Sequence, residues 1–231
     1  MFWPTIILAF IVTGAISYLF WRYVWFFRNP NRTIPSDRSG ILSPADGTVV
    51  YARQMKPQES VINIKRGIEA TLDDITREDM TRPKILIGIF MSPFNVHYNR
   101  SPVSGTIRFI RHHLPSTGNM CMLRMHLRTL FKRLPLYKNS IHIVNNERTV
   151  TKIDGEYGDN AVSCYVVQIA AKSVSGIDVY ASEGQRVRAG EIYGMIRIGS
   201  QVDIVVTHLE GMRIRVCPGQ KVKAGLTVLI D

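Results

Sequence analysis

Three short segments of this chain contain side chains that could do chemistry: SPADG at residues 43–47, MSPFNVHYNRSP at 91–102 and IGSQVD at 198–203. Asp46 supplies a carboxylate, His97 an imidazole that titrates near neutral pH, and Ser200 a hydroxyl. These are the groups that nucleophilic and acid–base reactions use. Ser200 also follows Gly199, which has no Cβ and leaves the peptide bond between them open to close approach. The three segments therefore predict a site, on condition that the fold brings them together.

Each segment by itself has an ordinary explanation. Asp46 before Gly47 is a common turn, and a histidine among apolar neighbours is more often packed than catalytic. Chance alone supplies roughly one Gly–Ser pair for the glycine and serine content of this chain, which has 17 glycines in 231 residues. The order and the spacing of the three segments are what raise them above these explanations.

The composition argues against a metal or disulfide framework. The three cysteines, Cys121, Cys164 and Cys217, are far apart and form no CxxC pair, and the six histidines show no HExxH or HxxxH spacing. No metal site is expected. The formal net charge of +11 instead indicates an anionic partner, which could be a nucleic acid, a membrane surface or an acidic small molecule.

The N-terminus favours the membrane. Residues 2–21 form an uncharged apolar run about long enough to cross a hydrocarbon core of roughly 30 Å, and aromatic residues typical of a membrane interface follow. We expect residues 1–28 to be a membrane anchor that spans the bilayer or lies in its interface. Arginines follow the run and none precedes it, so the catalytic domain is predicted on the cytoplasmic side of the cell membrane.

The rest of the chain is predicted to be one domain that is mainly β. Residues 29–40 are rich in Pro, Asn, Ser and Arg and predict a linker, and residues 41–231 form the domain. After two strands around the turn at 44–47, further strands are predicted at Lys84–Met91, Gly105–Arg111, Ile141–Val144, Val162–Ala170, Ile192–Ile198, Gln201–Val206 and Arg213–Val216. A helix is predicted within Asn119–Leu134. The segment 108–138 around it is basic, and no acidic residue occurs from Arg108 to Asn146; it is either a lipid headgroup contact or a solvated face.

An internal repeat indicates the type of β fold. EGQRVRAGEIYGMI, at Glu183–Ile196, is matched by PGQKVKAGLTVLI, at Pro218–Ile230, with an offset of 35 residues. Each copy predicts a turn, a short strand and a second turn, as in the half-motifs of biotinyl/lipoyl-type barrels. The expected fold class is therefore mainly β (α+β), a β-barrel or sandwich with such half-motifs, plus the N-terminal hydrophobic helix.

Taken together, the motifs resemble the phosphatidylserine decarboxylase family in its short, single-anchor form. The resemblance runs from Phe26 to the C-terminus, is poor around Cys121–Asn139, and rests on FFRNPNR, NVHYNRSP, NER (146–148), QIA (168–170) and GMIRIGSQVD (194–203). It implies a lyase that converts phosphatidylserine to phosphatidylethanolamine through a Schiff base with a pyruvoyl group. That cofactor would come from Ser200 by autocatalytic serinolysis at the Gly199–Ser200 bond, leaving residues 1–199 and 200–231 as a two-chain heterodimer.

The resemblance also implies roles for single residues. Asp46 belongs to the set that activates Ser200 for cleavage. His97 is the candidate for proton transfer, but Arg100 stands where longer bacterial members have a second histidine, and a guanidinium cannot act as a base. We expect Arg100 and Asn99 to bind the substrate instead, which leaves the base for self-cleavage open.

Two other function classes explain less of the sequence. A membrane-anchored carrier or adaptor module would explain the repeat, but it would need a modified lysine in a motif such as MKM, which is absent, and it leaves residues 95–102 unexplained. A basic nucleic-acid-binding protein would need a recognisable binding motif, and none is present. The expected partners are therefore the membrane and an anionic phospholipid substrate, with no nucleic acid. A higher homo-oligomer stays open.

Overall fold

The structure is a computed structural model that describes residues 3–35, 40–57, 59, 62–64, 68–70, 75–76, 82–115, 118–138, 140–172, 176–197 and 200–231. Ile198 and Gly199, and residues 36–39 of the predicted linker, lie outside the described residues.

The described chain begins with a helix that does not pack against the described domain. Helix α1, Trp3–Phe20, continues as a π-helical turn over Trp21–Trp25, and all residues of α1 are exposed. A helix that is apolar on every side has no face suited to water. Over its 23 residues it is the one helix in the described chain long and apolar enough to cross a membrane. The expected N-terminal hydrophobic helix is therefore confirmed.

The described remainder is built mainly from fifteen strands. They are β1 Ile41–Leu42, β2 Gly47–Met55, β3 Ile62–Ile64, β4 Ile68–Ala70, β5 Lys84–Met91, β6 Tyr98–Arg100, β7 Gly105–His113, β8 Arg148–Tyr157, β9 Asn160–Ala170, β10 Ile177–Val179, β11 Arg186–Val187, β12 Ile192–Ile196, β13 Ser200–Thr207, β14 Lys221–Val222 and β15 Val228–Ile230. Two short helices, α2 Leu123–Leu130 and α3 His142–Asn145, lie between β7 and β8. The predicted mainly β class is confirmed.

The main element is an eight-stranded antiparallel sheet in the order β11-β7-β8-β9-β13-β5-β2-β14, curled into a half-barrel. Strands β5 and β13 are buried along nearly their whole length on both faces. The reason is that each face of the sheet has its own apolar cluster. Ile87, Ile204 and Val202 belong to the first cluster, and Leu86 and Val205 belong to the second. β13 therefore lies at the centre of the domain.

The two copies of the internal repeat occupy opposite edges of this sheet. Strand β11 of the first copy pairs with β7, and β14 of the second copy pairs with β2. Gly190 and its counterpart Gly225 both have positive φ, 78° and 71°. The Ile34 side chain lies within 3.0 Å of where a Cβ would stand on either glycine. Glycine is needed at both positions because the backbone bends there and Ile34 approaches closely.

One edge of the sheet collects the predicted functional segments. Ser200 begins β13 beside Met91, the last residue of β5, and Ala170, the last residue of β9. Asp46 precedes β2 and the His97 segment follows β5. Because neighbouring strands are antiparallel, strand starts and strand ends alternate along this edge. The three segments, far apart in sequence, therefore converge at one edge of the sheet.

Two of the predicted strands are wrong, and the predicted helix is shorter. Residues 142–145 form helix α3, in which the consecutive residues His142 and Ile143 are both buried, whereas a half-buried strand would bury alternate residues. The β-branched residues there favour a strand only in a sheet context that the tertiary structure does not provide. Arg213–Val216 retains a single bridge, from Ile214 to Ile230. The helix expected within Asn119–Leu134 covers Leu123–Leu130.

Candidate active site around Ser200

Ser200 is held in a dry, fully paired position. Its backbone pairs with Met91 on one side and Ala170 on the other, and its side chain is completely buried. The Ser200 hydroxyl donates to the Met91 Sδ atom at 3.4 Å. Since a thioether is a weak acceptor, this contact holds the hydroxyl in place without drawing away its proton.

The Met91 sulfur joins Ser200 to a buried amide pair. The Asn99 Nδ2 atom lies 3.8 Å from the same sulfur and 3.5 Å from the Pro44 carbonyl. The Gln168 Nε2 group donates to Asn99 Oδ1 at 2.9 Å. The Gln168 Oε1 atom is buried and has no hydrogen-bond partner among the described residues. Leaving a buried acceptor without a hydrogen bond costs free energy. Gln168 Oε1 can therefore accept a hydrogen bond from a donor that the described residues do not supply.

His97 lies in the loop between β5 and β6 and is completely buried. Its Nδ1 atom is 2.9 Å from the Asn95 carbonyl oxygen, which can only accept, so Nδ1 bears the proton. The other nitrogen, Nε2, is buried without a hydrogen-bond partner in the described chain. The backbone carbonyl of His97 accepts from the Ile196 N–H at 3.3 Å, which ties the loop to the strand that leads toward Ser200.

The surroundings of His97 keep it neutral. Burial lowers its pKa from 6.5 to about 4; the bond to Asn95 and the charge of Asp46 oppose that shift, and the charge of Arg28 adds to it. The Phe26 ring covers the imidazole, with the ring centroids 4.3 Å apart. At neutral pH His97 is therefore an uncharged imidazole, and no described residue binds the lone pair on Nε2.

Asp46 is paired with an arginine and makes no hydrogen bond to His97. The Arg32 guanidinium donates to both carboxylate oxygens, at 2.6 and 2.9 Å, and the Ala224 N–H donates to Oδ1 at 2.7 Å. Both side chains of this ion pair are nearly buried. No Ser–His–Asp chain of hydrogen bonds links the described residues of this site, although the charge of Asp46 acts on His97 at longer range.

Arg100 ends strand β6 beside the same ion pair. Its guanidinium donates to the Gly190 carbonyl at 2.8 Å and to Asn29 Oδ1 at 3.0 Å. Burial lowers the pKa of both Arg100 and Arg28, and the charge of Arg32 adds to the lowering in each case, while Asp46 opposes it. Three guanidinium groups thus share the field of one carboxylate, which gives this corner of the site a positive balance.

The segment just after the apolar helix and its π-helical turn, residues 26–34, supplies much of this environment, and we call it the strap. Phe26 covers His97, Asn29 contacts Arg100, and Arg32 pairs with Asp46. Ile34 packs between the two repeat glycines. The described part of the predicted linker, residues 29–35, therefore lies against the candidate site.

The opposite face of β13 holds a second buried polar group. The Gln201 Nε2 group donates to the Tyr51 hydroxyl and to Asp203 Oδ1, both at 2.7 Å, and the Tyr51 hydroxyl donates to Asp203 Oδ2 at 2.7 Å. The His142 Nε2 group lies 3.1 Å from Gln201 Oε1. Burial raises the pKa of Asp203 to about 6 and lowers that of His142 to about 4. These four side chains form one hydrogen-bonded group on the face of β13 opposite to Ser200.

Comparison with known proteins identifies the family. The sequence profile of the phosphatidylserine decarboxylase family matches residues 19–230. The chain belongs to this family. Similar proteins include the phosphatidylserine decarboxylase proenzymes of Geotalea uraniireducens (31% identical, covering 98% of this chain and 92% of the relative), Ralstonia nicotianae (31%, 99% and 93%) and Streptomyces avermitilis (34%, 88% and 71%).

Membership of the phosphatidylserine decarboxylase family confirms the expectation of a lyase over that of a carrier module. The structure brings Ser200 and Asn99 into one cluster, and it places His97 at the same edge of the sheet. Gly199 lies outside the described residues.

The sequence motifs of this decarboxylase contain further residues of the candidate site that the sequence alone did not indicate. Met91 opens the second motif and Gln168 opens QIA, while Arg32 closes FFRNPNR. Tyr51 and His142 lie outside every motif that was recognised. Only the fold shows that they contact the residues next to Ser200.

The group behind β13 predicts the acid sensitivity of this decarboxylase. Since the pKa of His142 falls from 6.5 to about 4 on folding, its contribution to stability is present above pH 6.5 and is lost as the pH falls. We expect His142→Gln, which keeps an N–H donor but does not titrate, to reduce the acid loss of unfolding free energy by about 3 kcal/mol. Denaturant unfolding in detergent at several pH values measures it.

Asp203→Asn is the matched variant with the opposite sign. Folding raises the pKa of Asp203 from 3.8 to about 6, so the wild-type chain gains stability from this group as the pH falls from 6 to 3.8. The asparagine variant lacks that gain and should lose stability more steeply in acid. Slopes identical to wild type in both variants would contradict the prediction.

Proposed function

We propose that this enzyme decarboxylates phosphatidylserine to phosphatidylethanolamine with a pyruvoyl group made from its own Ser200. The relatives are named as proenzymes of that activity. The observation that carries the proposal is the position of Ser200, the buried first residue of the central strand, in contact with Met91 and beside the Asn99–Gln168 pair. A serine that acts only on the protein surface does not need a completely buried position at the start of a central strand.

The proposed self-cleavage begins with attack of the Ser200 hydroxyl oxygen on the Gly199 carbonyl carbon. The C–N bond breaks, the Ser200 nitrogen takes a proton, and the acyl group is held as an ester on the serine oxygen. Loss of the Ser200 Cα proton then expels the Gly199 carboxylate and leaves dehydroalanine. Addition of water and release of ammonia convert that residue to pyruvoyl. The products are residues 1–199 and 200–231.

The sheet supports a cut at this bond because it retains the short fragment. Strand β13 pairs with β5 and β9, β14 pairs with β2, and β15 pairs with β1. All of these partner strands precede the cut. The two products would therefore remain one folded unit, held by backbone hydrogen bonds and by the buried apolar side chains of β13.

The residues around position 200 fit a pyruvoyl group. The Asn99–Gln168 pair beside position 200 contains one buried acceptor, Gln168 Oε1, that lacks a partner among the described residues. His97 Nε2, at the same edge of the sheet, also lacks one. When formed, the group supplies an electrophilic carbonyl that accepts the electrons of the bond broken in decarboxylation. The amides of Asn99 and Gln168 orient the groups next to it, and the dry surroundings limit side reactions with water.

His97 is the proposed proton carrier. It is neutral at pH 7, and its Nε2 lone pair is not occupied by any described residue. It can hold a proton taken from a reacting group and return it to the carbon that loses carbon dioxide. The proposed part of Asp46 is electrostatic, because its charge favours the protonated form of His97 while its oxygens remain bound to Arg32.

The positive charge around Arg28, Arg32 and Arg100 suits the substrate. The headgroup of phosphatidylserine contains a phosphate and a carboxylate, and guanidinium groups bind both. We assign this binding to Arg100, with Asn99 positioning the adjacent polar atoms. Arg28 and Arg32 add to the positive field. Helix α1 would attach the enzyme to the membrane that contains the substrate, with the domain on the cytoplasmic side.

Ser200→Ala should remain one intact chain and be inactive, because alanine has no oxygen to attack Gly199. A denaturing gel with mass spectrometry measures the products: wild type should give two fragments that meet at residues 199 and 200, the smaller one blocked by pyruvoyl. The control is Ser182→Ala, at an exposed turn, which should cleave normally. A wild-type chain that stays intact would sink the proposal.

His97→Ala should lower the decarboxylation rate by about 10²- to 10⁴-fold, the usual contribution of a positioned acid–base group. Cleavage and decarboxylation are measured separately, by gel and by product lipid, because His97 is proposed for the second step and the base of the first is open. The control is His208→Ala at the far end of β13. Wild-type rates for both steps would rule out the role of His97.

Arg100→Gln should raise KM for phosphatidylserine by about 10- to 100-fold, the value of a lost charged hydrogen bond, with a smaller effect on kcat. The variant should still cleave itself. Arg188→Gln, an exposed arginine on the first repeat, is the control. An unchanged KM would remove Arg100 from the binding site.

A further inference from the structure

The connection between β7 and β8, residues 114–147, has no part in the proposed reaction. It leaves the sheet after His113 and returns at Arg148, which pairs with His113 and with Ile169. Ile169 in turn pairs with Gln201, the neighbour of Ser200. Both ends of the connection therefore lie at the edge of the sheet that holds the candidate active site.

Helix α2 within this connection is fixed firmly by one face. Met122 and Met125 are buried in the second apolar cluster with Phe90. The Asn146 amide donates to the Met120 and Ala170 carbonyls at 3.0 and 2.7 Å, and it accepts from the Met120 N–H at 2.8 Å. The orientation of α2 relative to Ser200 is thus set by contacts to β5 and β9.

The other face of α2 is apolar and exposed. The exposed side chains are Leu123 (58%), Leu127 (43%), Leu130 (64%), Phe131 (62%) and Leu134 (66%). Their spacing places the three leucines of α2 on one side of the helix. Described residues do not cover this stripe, and soluble surfaces rarely expose a contiguous patch of this kind.

Basic side chains surround the stripe. Arg124, Arg128, Arg133 and Lys138 line, with Leu127 and Phe131, a cavity of about 350 Å³. No acidic residue occurs between Arg108 and Asn146. A second copy of this chain is a poor occupant, since a symmetric contact through this face would bring the same cations together. Apolar side chains among cations fit an anionic bilayer interface, where the chains insert and the cations meet phosphates.

We propose that residues 123–138 are a second membrane contact that docks on an anionic leaflet. The cavity receives lipid phosphates at its basic residues, and Leu127, Leu130 and Phe131 enter the interface. The first contact is the anchor, whose Trp21 packs on Phe94 just beyond β5. Together the two contacts would hold the edge of the sheet that contains Ser200 toward the lipid. This role of the second contact rests on the proposed function.

The test needs the full chain in vesicles and a local probe, because α1 anchors the protein in any case. An NBD fluorophore is attached at Leu127→Cys in a chain in which the exposed Cys121 and Cys217 are serine. The vesicles are phosphatidylcholine with or without phosphatidylglycerol, an anionic lipid that is not the proposed substrate. We expect a blue shift and quenching by doxyl lipids only with phosphatidylglycerol, weakened by salt. The control label, at Glu210→Cys beyond the far end of β13, should stay in water.

Charge reversal separates docking from folding. Arg124→Glu, Arg133→Glu and Lys138→Glu together should weaken docking by more than about 100-fold, because each cation near an anionic leaflet contributes roughly fivefold. The same reversal at Arg186, Arg213 and Lys221 is the control. Self-cleavage of each variant confirms that it folds.

The outcomes distinguish this proposal from the proposed function. A chain that cleaves itself but leaves the Leu127→Cys label as wet as the control label in phosphatidylglycerol vesicles overturns the second contact alone. Docking that survives the charge reversal overturns it as well. Docking by a wild-type chain that never cleaves supports the contact and overturns the proposed function.

Discussion

The pairing of β13 with β5 on one side and β9 on the other is the constraint on which the rest of the structure depends. It places Ser200 at the start of a strand that is buried along nearly its whole length, where this strand begins and the neighbouring strands end. Strand β13 follows the Gly199–Ser200 bond in the sequence, and both strands that pair with β13 precede that bond. The fold therefore keeps the sequence on both sides of the bond together, whether or not the bond is intact.

The two faces of β13 have different surroundings. Ser200 and Val202 point toward the site and the first apolar cluster, while Gln201 and Asp203 point into the polar group with Tyr51 and His142. A slip of one residue would exchange these faces and bury Gln201 where Ser200 now lies. The observed register pairs Gln201 and Asp203 with Tyr51 and His142, so the polar group favours the register that places Ser200 at the site.

The sequence indicates candidate side chains and local elements, but not their contacts. Motifs nominate Ser200 and His97, hydropathy correctly predicts the apolar helix, and the repeat correctly places two equivalent turns, because these features are local. The contact of Ser200 with Met91 spans 109 residues and the bond of Gln201 to Tyr51 spans 150, so no spacing rule could indicate them. Asp46 illustrates the limit: its chemistry suggested a relay, but Arg32, fourteen residues before it, takes both oxygens. Ile141–Val144 was mistaken for a strand because its composition is that of one.

The burial of the site is linked to the position of the N-terminal apolar helix. His97 and Ser200 are completely buried, and the ring that covers His97 belongs to Phe26, which directly follows the π-helical turn at the end of that helix. A headgroup that reaches His97 must displace or pass that ring. Arg28, Arg32 and Arg100 share the field of Asp46, whose charge also acts on His97, so the positive charge of the site begins where the hydrophobic helix ends. With that helix in a bilayer, as proposed, an anionic lipid would meet these cations as its headgroup leaves the surface, whereas a soluble anion would have to find the same entrance beside the membrane.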